Sequence, residues 1–508
     1  MLQILTNYTA QNFSAGGSDG YYICNKYFAT KNLFFYLVPV VLCLFSCNTG
    51  KAEAGNKDTT NDRIITTSLG FDTTLPKGSV VDSIQCRKSP GQYYSLYLPS
   101  NYSSDKKYPC VYFFDAHARG AMPLNMYHLL AEKYGYVLIG SLTSKNGMQW
   151  PVNKPGIEAM MADTKERINI DPTRVYTAGF SGGSRVASSV AIYIGGVAGV
   201  IGCAAGFPRI EGGINQKFAY FGLSGEYDFN LGEMQQLDDA LEHNGFPHQL
   251  LTTDGIHGWA PAAEFNTALL WMQVNSMREK TSTKDDEIIK ALKEDFDLRI
   301  KAAHKTNDPI KEHLLTTGLI AVTGGLIDVA DYKRQEASII AGPAYQKALE
   351  QQTNLQKQEQ TLQQELAGEY SQHDETWWAQ KLKDLNNKAN KPKTPAEGHM
   401  YKRVINYLGL VGFMSVTQAL NTGDVGHATT FLNIFKLADP ENTDCLYLEA
   451  MLEMKKGNPP LALKALEAAA QKGYSEIATL ITEPAFAGIK DDAAFKDILT
   501  KVRENGKK

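Results

Sequence analysis

In Arg174-Val175-Tyr176-Thr177-Ala178-Gly179-Phe180-Ser181-Gly182-Gly183-Ser184, a short apolar run ends in Gly-x-Ser-x-Gly and gives way to a segment with helical spacing. Residues 174–178 have the composition of a buried strand. A serine between such a strand and a helix sits on a turn so sharp that its backbone is strained, and only small flanking residues avoid a clash. The turn lifts the hydroxyl above the sheet edge, at the N-terminus of the next helix. There the helix dipole and the Gly182 amide favour negative charge. Ser181 is therefore the candidate nucleophile. By itself the pattern would also suit a Gly-rich turn after an ordinary strand; its surroundings separate the two.

Outward from this turn, over residues 79–278, short apolar runs alternate with amphipathic segments. Residues 93–99 alternate at period two, as a half-exposed strand does. Runs at 108–114, 136–141, 199–204, 219–223 and 248–252 read as further strands, most of them rich in Val, Ile, Leu, Phe and Tyr. Helix-like segments at 125–134, 156–167, 184–194, 231–243 and 262–277 lie between them. Strand and helix in this order predict an α/β domain with a doubly wound, mainly parallel sheet.

Two more short stretches carry chemistry. Gly255-Ile256-His257-Gly258-Trp259 follows the last expected strand, and its flanking glycines leave the imidazole accessible. His257 is the candidate general base. Gly225-Glu226-Tyr227-Asp228 follows the strand at 219–223, where an acid can reach the far nitrogen of that histidine and fix its tautomer. Asp228 is preferred there, with Glu226 and Asp254 as the other acids in reach. Nucleophile, acid and histidine then occur in the order Ser181, Asp228, His257. An oxyanion hole needs backbone donors, one from Gly182 and one from the loop Asp115-Ala116-His117-Ala118-Arg119-Gly120. Spacing alone leaves the second donor open between Ala116 and His117. Residues 143–155, with Lys145, Asn146, Gln149 and Trp150, either line a substrate pocket or form an ordinary surface loop.

This set resembles the α/β-hydrolase esterases of the polyhydroxybutyrate-depolymerase and feruloyl-esterase group. They share the Gly-x-Ser-x-Gly elbow, an Asp after a Gly-x-x turn and a Gly-x-His-Gly-Trp ending, and the likeness covers residues 83–277. It departs at Asp115-Ala116-His117, where a His-Gly pair is more common. The resemblance implies a serine hydrolase that cleaves carboxylic esters through an acyl-enzyme, without metal or organic cofactor. Small-molecule and carbohydrate-linked esters are the substrates it suggests. A peptidase of the same fold, and a catalytically idle surface protein that binds a partner through its C-terminal helices, are the alternatives.

The chain has 508 residues, a net charge of -4 and no long basic run, so nucleic acid is not an expected partner. Its seven cysteines show neither CxxC pairing nor zinc spacing, and Cys110 and Cys203 lie in strand-like runs as small core residues. Residues 33–45 are apolar, follow Lys26 and Lys31, and end at Leu44-Phe45-Ser46-Cys47. That pattern predicts an export signal at 1–47, with Cys47 as a lipidation site and attachment to the cell envelope through a lipid anchor. The rival is an uncleaved anchor helix. Residues 48–78 read as a tether.

After residue 278 the pattern is nearly all helical. Residues 279–399 read as a helical connecting region, with one long helix or a hairpin arm at 345–370 and a linker at 386–397. In residues 400–508, Gly423-Asp424 and Gly457-Asn458 recur at a period of 34, and Ala428/Ala462 and Leu432/Leu466 keep the same offset. This resembles tetratricopeptide repeats, an all-α module suited to a protein partner, with a generic helical hairpin bundle as the alternative.

Overall fold

The computed structural model describes residues 71–210 and 212–506. The expected export signal, Cys47 and residues 48–70 of the expected tether lie outside the described residues. Ser68–Lys508 groups as one unit, so the sheet and the C-terminal helices belong to the same body.

Eight strands form one sheet in the order β1-β2-β4-β3-β5-β6-β7-β8. They are β1 (Val80–Cys86), β2 (Ser89–Tyr97), β3 (Tyr108–Phe114), β4 (Val137–Ser141), β5 (Ile170–Phe180), β6 (Gly199–Cys203), β7 (Ala219–Gly225) and β8 (His248–Thr253). β2 pairs antiparallel with both β1 and β4, and every other pairing is parallel. Parallel strands need crossovers; α1 (Ala121–Tyr134), α2 (Trp150–Arg167), α3 (Gly182–Ser189) and α4 (Leu231–His243) supply four of them, the β6–β7 connection has no helix, and α5 (Ala262–Arg278) follows the last strand. A strand covered on both sides has no reason to alternate with polar residues, and all seven residues of β3 are buried. Its side chains divide by pleat. Val111 and Phe113 join Tyr127 and Phe265 in one apolar cluster, while Cys110, Tyr112 and Phe114 join Ile157 and Met160 in the other.

The helical half begins as a further layer on the first of these faces. α6 (Asp286–Lys305) and α7 (Pro309–Thr323) put Leu292, Phe296, Leu315 and Leu319 into the same cluster as Trp271 of α5. α8 (Ala330–Ala341) leads to α9 (Pro343–Glu369), which is one continuous helix and not a hairpin. The break expected at 386–397 is shorter. Leu382, Leu385 and Ala389 continue a buried stripe that carries α10 (Glu375–Asn390) through its Lys- and Asn-rich end. Thr394 then caps α11 (Pro395–Thr422), accepting from the Glu397 amide at 3.2 Å.

α11 packs on α12 (Val425–Ala438), and α13 (Thr443–Lys455) on α14 (Pro459–Gln471). The two spaced glycines, Gly423 and Gly457, adopt the same left-handed turn at φ 77°. Ala428, Leu432, Ala462 and Leu466 are all buried in one cluster. α15 (Ile477–Thr482) and α16 (Ala493–Asn505) end the chain. Among the described residues no helix is long and apolar enough to cross a membrane.

Candidate active site

β5 delivers Ser181 at φ 55°, a strained conformation for a residue with a side chain. The strain persists because the chain on both sides is fixed. The Ser181 amide donates to the Cys203 carbonyl at 2.9 Å, and α3 begins at the next residue. Gly183 must lack a side chain, since a Cβ there would overlap the Phe114 carbonyl. The first turn of α3 is thereby brought against the end of β3, where the loop 115–120 starts.

His257 Nε2 lies 2.9 Å from Ser181 Oγ. Its Nδ1 lies 3.0 and 3.1 Å from the two carboxylate oxygens of Asp228. Asp228 is fully buried and also accepts from the Asn230 amide at 2.8 Å, which fixes the carboxylate plane. With Nδ1–H held by a carboxylate, Nε2 is the free acceptor facing the hydroxyl. The other two acids do not compete. Glu226 pairs with Lys311 and His399, at 3.0 and 3.3 Å, and Asp254 lies beside the Tyr227 side chain.

The amides of Ala116 and His117 are not equivalent. The His117 amide donates to Asp115 Oδ1 at 2.9 Å, while the Ala116 carbonyl accepts from the Asn146 amide at 2.7 Å, so both ends of that peptide are engaged. The Asp115 carbonyl accepts from the Ala118 amide at 3.1 Å, closing a turn with Ala118 at φ 60°. Among the described residues, the amide of this turn with no protein acceptor is that of Ala116. Residues of the 143–155 segment thus brace the loop, through Asn146 and a short antiparallel bridge between Lys145 and His117. Its second half is helical, because α2 starts at Trp150, which packs on Tyr193.

Several contributors were not legible from spacing. Phe229 stacks on the His257 ring at 4.3 Å, and Phe180 lies 4.9 Å away on a tilted plane. Trp259 Nε1 donates to Asp115 Oδ2 at 2.8 Å. Arg119 donates to Asp115 from Nε at 2.8 Å and from Nη2 at 3.0 Å. Burial alone would raise the Asp115 carboxyl, but Arg119 together with the Trp259 and His117 donors holds it below its ordinary value. The Gly-x-His-Gly-Trp ending was the available signal for Trp259; Phe229 had only its place beside Asp228. Among the described residues no group of three or more His, Cys, Asp or Glu side chains is arranged to hold a metal ion.

The strand order, with a serine turn after β5, an acid after β7 and a histidine after β8, defines an α/β-hydrolase fold for residues 80–278, followed by an all-helical region. No protein-family model and no curated protein matches the sequence. Among solved structures, the chain is similar to the substrate-bound fluorophosphonate-binding serine hydrolase F of Staphylococcus aureus, at 14% identity and a TM-score of 0.33, over 39% of this chain and 99% of that one. It is similar to the S-formylglutathione hydrolase of the same organism, at 15% identity and 0.33, over 39% and 98%. A third likeness is to the feruloyl esterase module of Clostridium thermocellum complexed with sinapinate, at 12% identity and 0.30, over 38% and 86%.

Proposed function

We propose that this protein is a serine hydrolase that cleaves carboxylic esters through an acyl-enzyme, with Ser181 as nucleophile, His257 as base and Asp228 as its orienting acid. The observation that carries this reading is the continuous hydrogen-bonded line from Ser181 Oγ through both nitrogens of His257 to the buried Asp228. Ser181 Oγ attacks the ester carbonyl as its proton passes to His257 Nε2, and the imidazolium is stabilised by Asp228. The carbonyl oxygen gains negative charge between the amides of Gly182 and Ala116. Collapse of this intermediate expels the alcohol, which takes the proton from Nε2. Water, deprotonated by the same nitrogen, then attacks the acyl-enzyme, and the acid leaves with Ser181 restored.

The test is hydrolysis of short-chain p-nitrophenyl esters by wild type and Ser181→Ala, with fluorophosphonate labelling of both. Wild type should turn over and label, and the variant should do neither. Equal rates in the two, or labelling that survives the substitution, would defeat the assignment.

Small or carbohydrate-linked esters are proposed as substrates, on the resemblance given above. The matching glycine turns and buried Ala and Leu pairs support a tetratricopeptide-like reading of residues 400–508, with a protein partner as its expected ligand. Export and lipidation at Cys47 are proposed from the sequence of residues 33–47. Loss of membrane fractionation in Cys47→Ala tests this, and unchanged fractionation rejects it.

A further inference from the structure

The C-terminal helices touch the hydrolase site at two of its loops. Glu476, immediately before α15, reaches the loop that carries Ala116. Its Oε1 accepts from Arg119 Nη1 at 2.8 Å and from His117 Nδ1 at 3.0 Å. Arg119 passes the contact on to Asp115, whose carboxylate holds the His117 amide and the Trp259 indole. A connected set of hydrogen bonds therefore runs from the C-terminal module to the turn that presents the Ala116 amide, and on to the segment that carries His257. At the second loop, Arg403 and Asn406 of α11 donate to the carbonyls of Glu226 and Tyr227, at 2.9 and 2.7 Å, just before Asp228.

The Glu476 side chain is itself rigidly placed. Tyr474 and Leu480, on either side of it, are buried in the module's own core. Glu476 is buried beside Asp444, a second acid. A buried carboxylate needs a donor or a cation, and Arg119 and His117 of the hydrolase loop are the groups Glu476 meets. Only the Glu476 end of this cluster is buried, and ion pairs whose cations reach solvent add little net stability, so the geometry the cluster imposes is the better account of it.

We propose that Glu476 is a positioning residue of the hydrolase site: acting through Arg119 and His117, it holds the 115–118 turn with the Ala116 amide aimed at the oxyanion. The C-terminal module is then a working part of the active site and not an appended one. This rests on the hydrolase reading above.

The test uses the full chain and p-nitrophenyl acetate, with Glu476→Gln, Glu476→Ala, Arg119→Ala and the Glu476→Ala/Arg119→Ala double variant. Misaiming one oxyanion donor is expected to lower kcat by about tenfold or more in the Glu476 variants, with KM within about twofold of wild type. The double variant should lose no more than Arg119→Ala alone, because both changes break one path. Glu476→Gln keeps the side-chain shape and decides the matter should the alanine variant unfold. If kcat of Glu476→Gln stays near wild type while Ser181→Ala is inactive, the positioning role is wrong and the hydrolase reading stands. A fall confined to KM, or losses that add in the double variant, also overturns it. If wild type neither hydrolyses the ester nor labels at Ser181, the hydrolase reading fails and this inference fails with it.

Discussion

The indole of Trp259 donates to Asp115 Oδ2 at 2.8 Å, joining the segment that carries His257 to the loop that carries Ala116. Trp259, two residues after His257, and the loop that presents the Ala116 amide thus meet at one buried carboxylate, although Asp115 and Trp259 lie 144 residues apart. Asp115 is fully buried, so every donor it loses leaves a charged group less well satisfied.

Trp259→Phe tests this link directly. Phenylalanine keeps the aromatic packing against Phe113 and Phe180 but removes the donor. Because Arg119 and the His117 amide remain on Asp115, the expected stability loss is modest, about 1–2 kcal/mol in urea unfolding. Ester hydrolysis should fall further than such a loss explains, by about threefold to tenfold in kcat. Unchanged kcat in a destabilised variant would show that the bond serves folding alone.

Asp228→Asn should preserve the fold and abolish most turnover. The isosteric amide still accepts from the Asn230 amide, and Phe229 still stacks on the imidazole. Its NH2 group facing Nδ1, however, favours the tautomer that carries the proton on Nε2, which can no longer accept from Ser181. A fall in kcat of about a thousandfold to ten-thousandfold is expected, with little change in KM. A loss below about tenfold would remove Asp228 from the mechanism.

What could be read in advance was local. The Gly-x-Ser-x-Gly turn between strand and helix needs only neighbouring residues to be recognised, and the acid and histidine follow by chain order. The strands were legible because burial on both faces makes them short and apolar, as in β3. Which of the Ala116 and His117 amides is already engaged was not legible, because it depends on the Asp115 carboxylate folding back on its own loop. Glu476 was beyond reach for a different reason. Nothing near it in sequence marks it, and its partners lie at the other end of the described chain. The linker expected at 386–397 is too long because the buried stripe Leu382, Leu385 and Ala389 carries the helix on through a Lys- and Asn-rich end whose composition alone suggests a break.

His117 makes the contact with the C-terminal module pH-dependent. Burial opposes its charged form, but Glu476 outweighs burial and lifts the imidazole above its ordinary value of 6.5. A folded value above the unfolded one means that the native state binds the proton more tightly. The stabilisation is therefore complete below the unfolded value and is lost as pH rises through the folded value. Burial also raises the Asp444 carboxyl, with His117 opposing it, which adds a loss of the same sign at lower pH. Asp115, held low by Arg119, contributes a constant amount over this range. Thermal midpoints of wild type and His117→Asn should differ most at about pH 5.5 and converge by about pH 9. A gap that widens toward alkaline pH would contradict the pairing.

Arg403 offers a test from the other contact. Its guanidinium is bound to Glu359 through Nε, at 2.9 and 3.0 Å, and through Nη2, at 2.7 Å, while Nη1 holds the Glu226 carbonyl. Both side chains are nearly buried. Arg403→Met keeps much of the volume but strands the Glu359 carboxylate, at an expected cost of about 3–5 kcal/mol near neutral pH. Burial already raises the Glu359 carboxyl despite Arg403, and removing the guanidinium must raise it further. A folded value above the unfolded one loses stability as pH rises, so the variant should be clearly weaker at about pH 8 than at about pH 5. Adding Glu359→Gln removes the stranded charge and should recover most of the loss at the higher pH. Urea midpoints at both pH values check this. Equal destabilisation at the two, with no recovery in the double variant, would mean that Arg403 acts through the Glu226 carbonyl and the loop leading to Asp228, and not through Glu359.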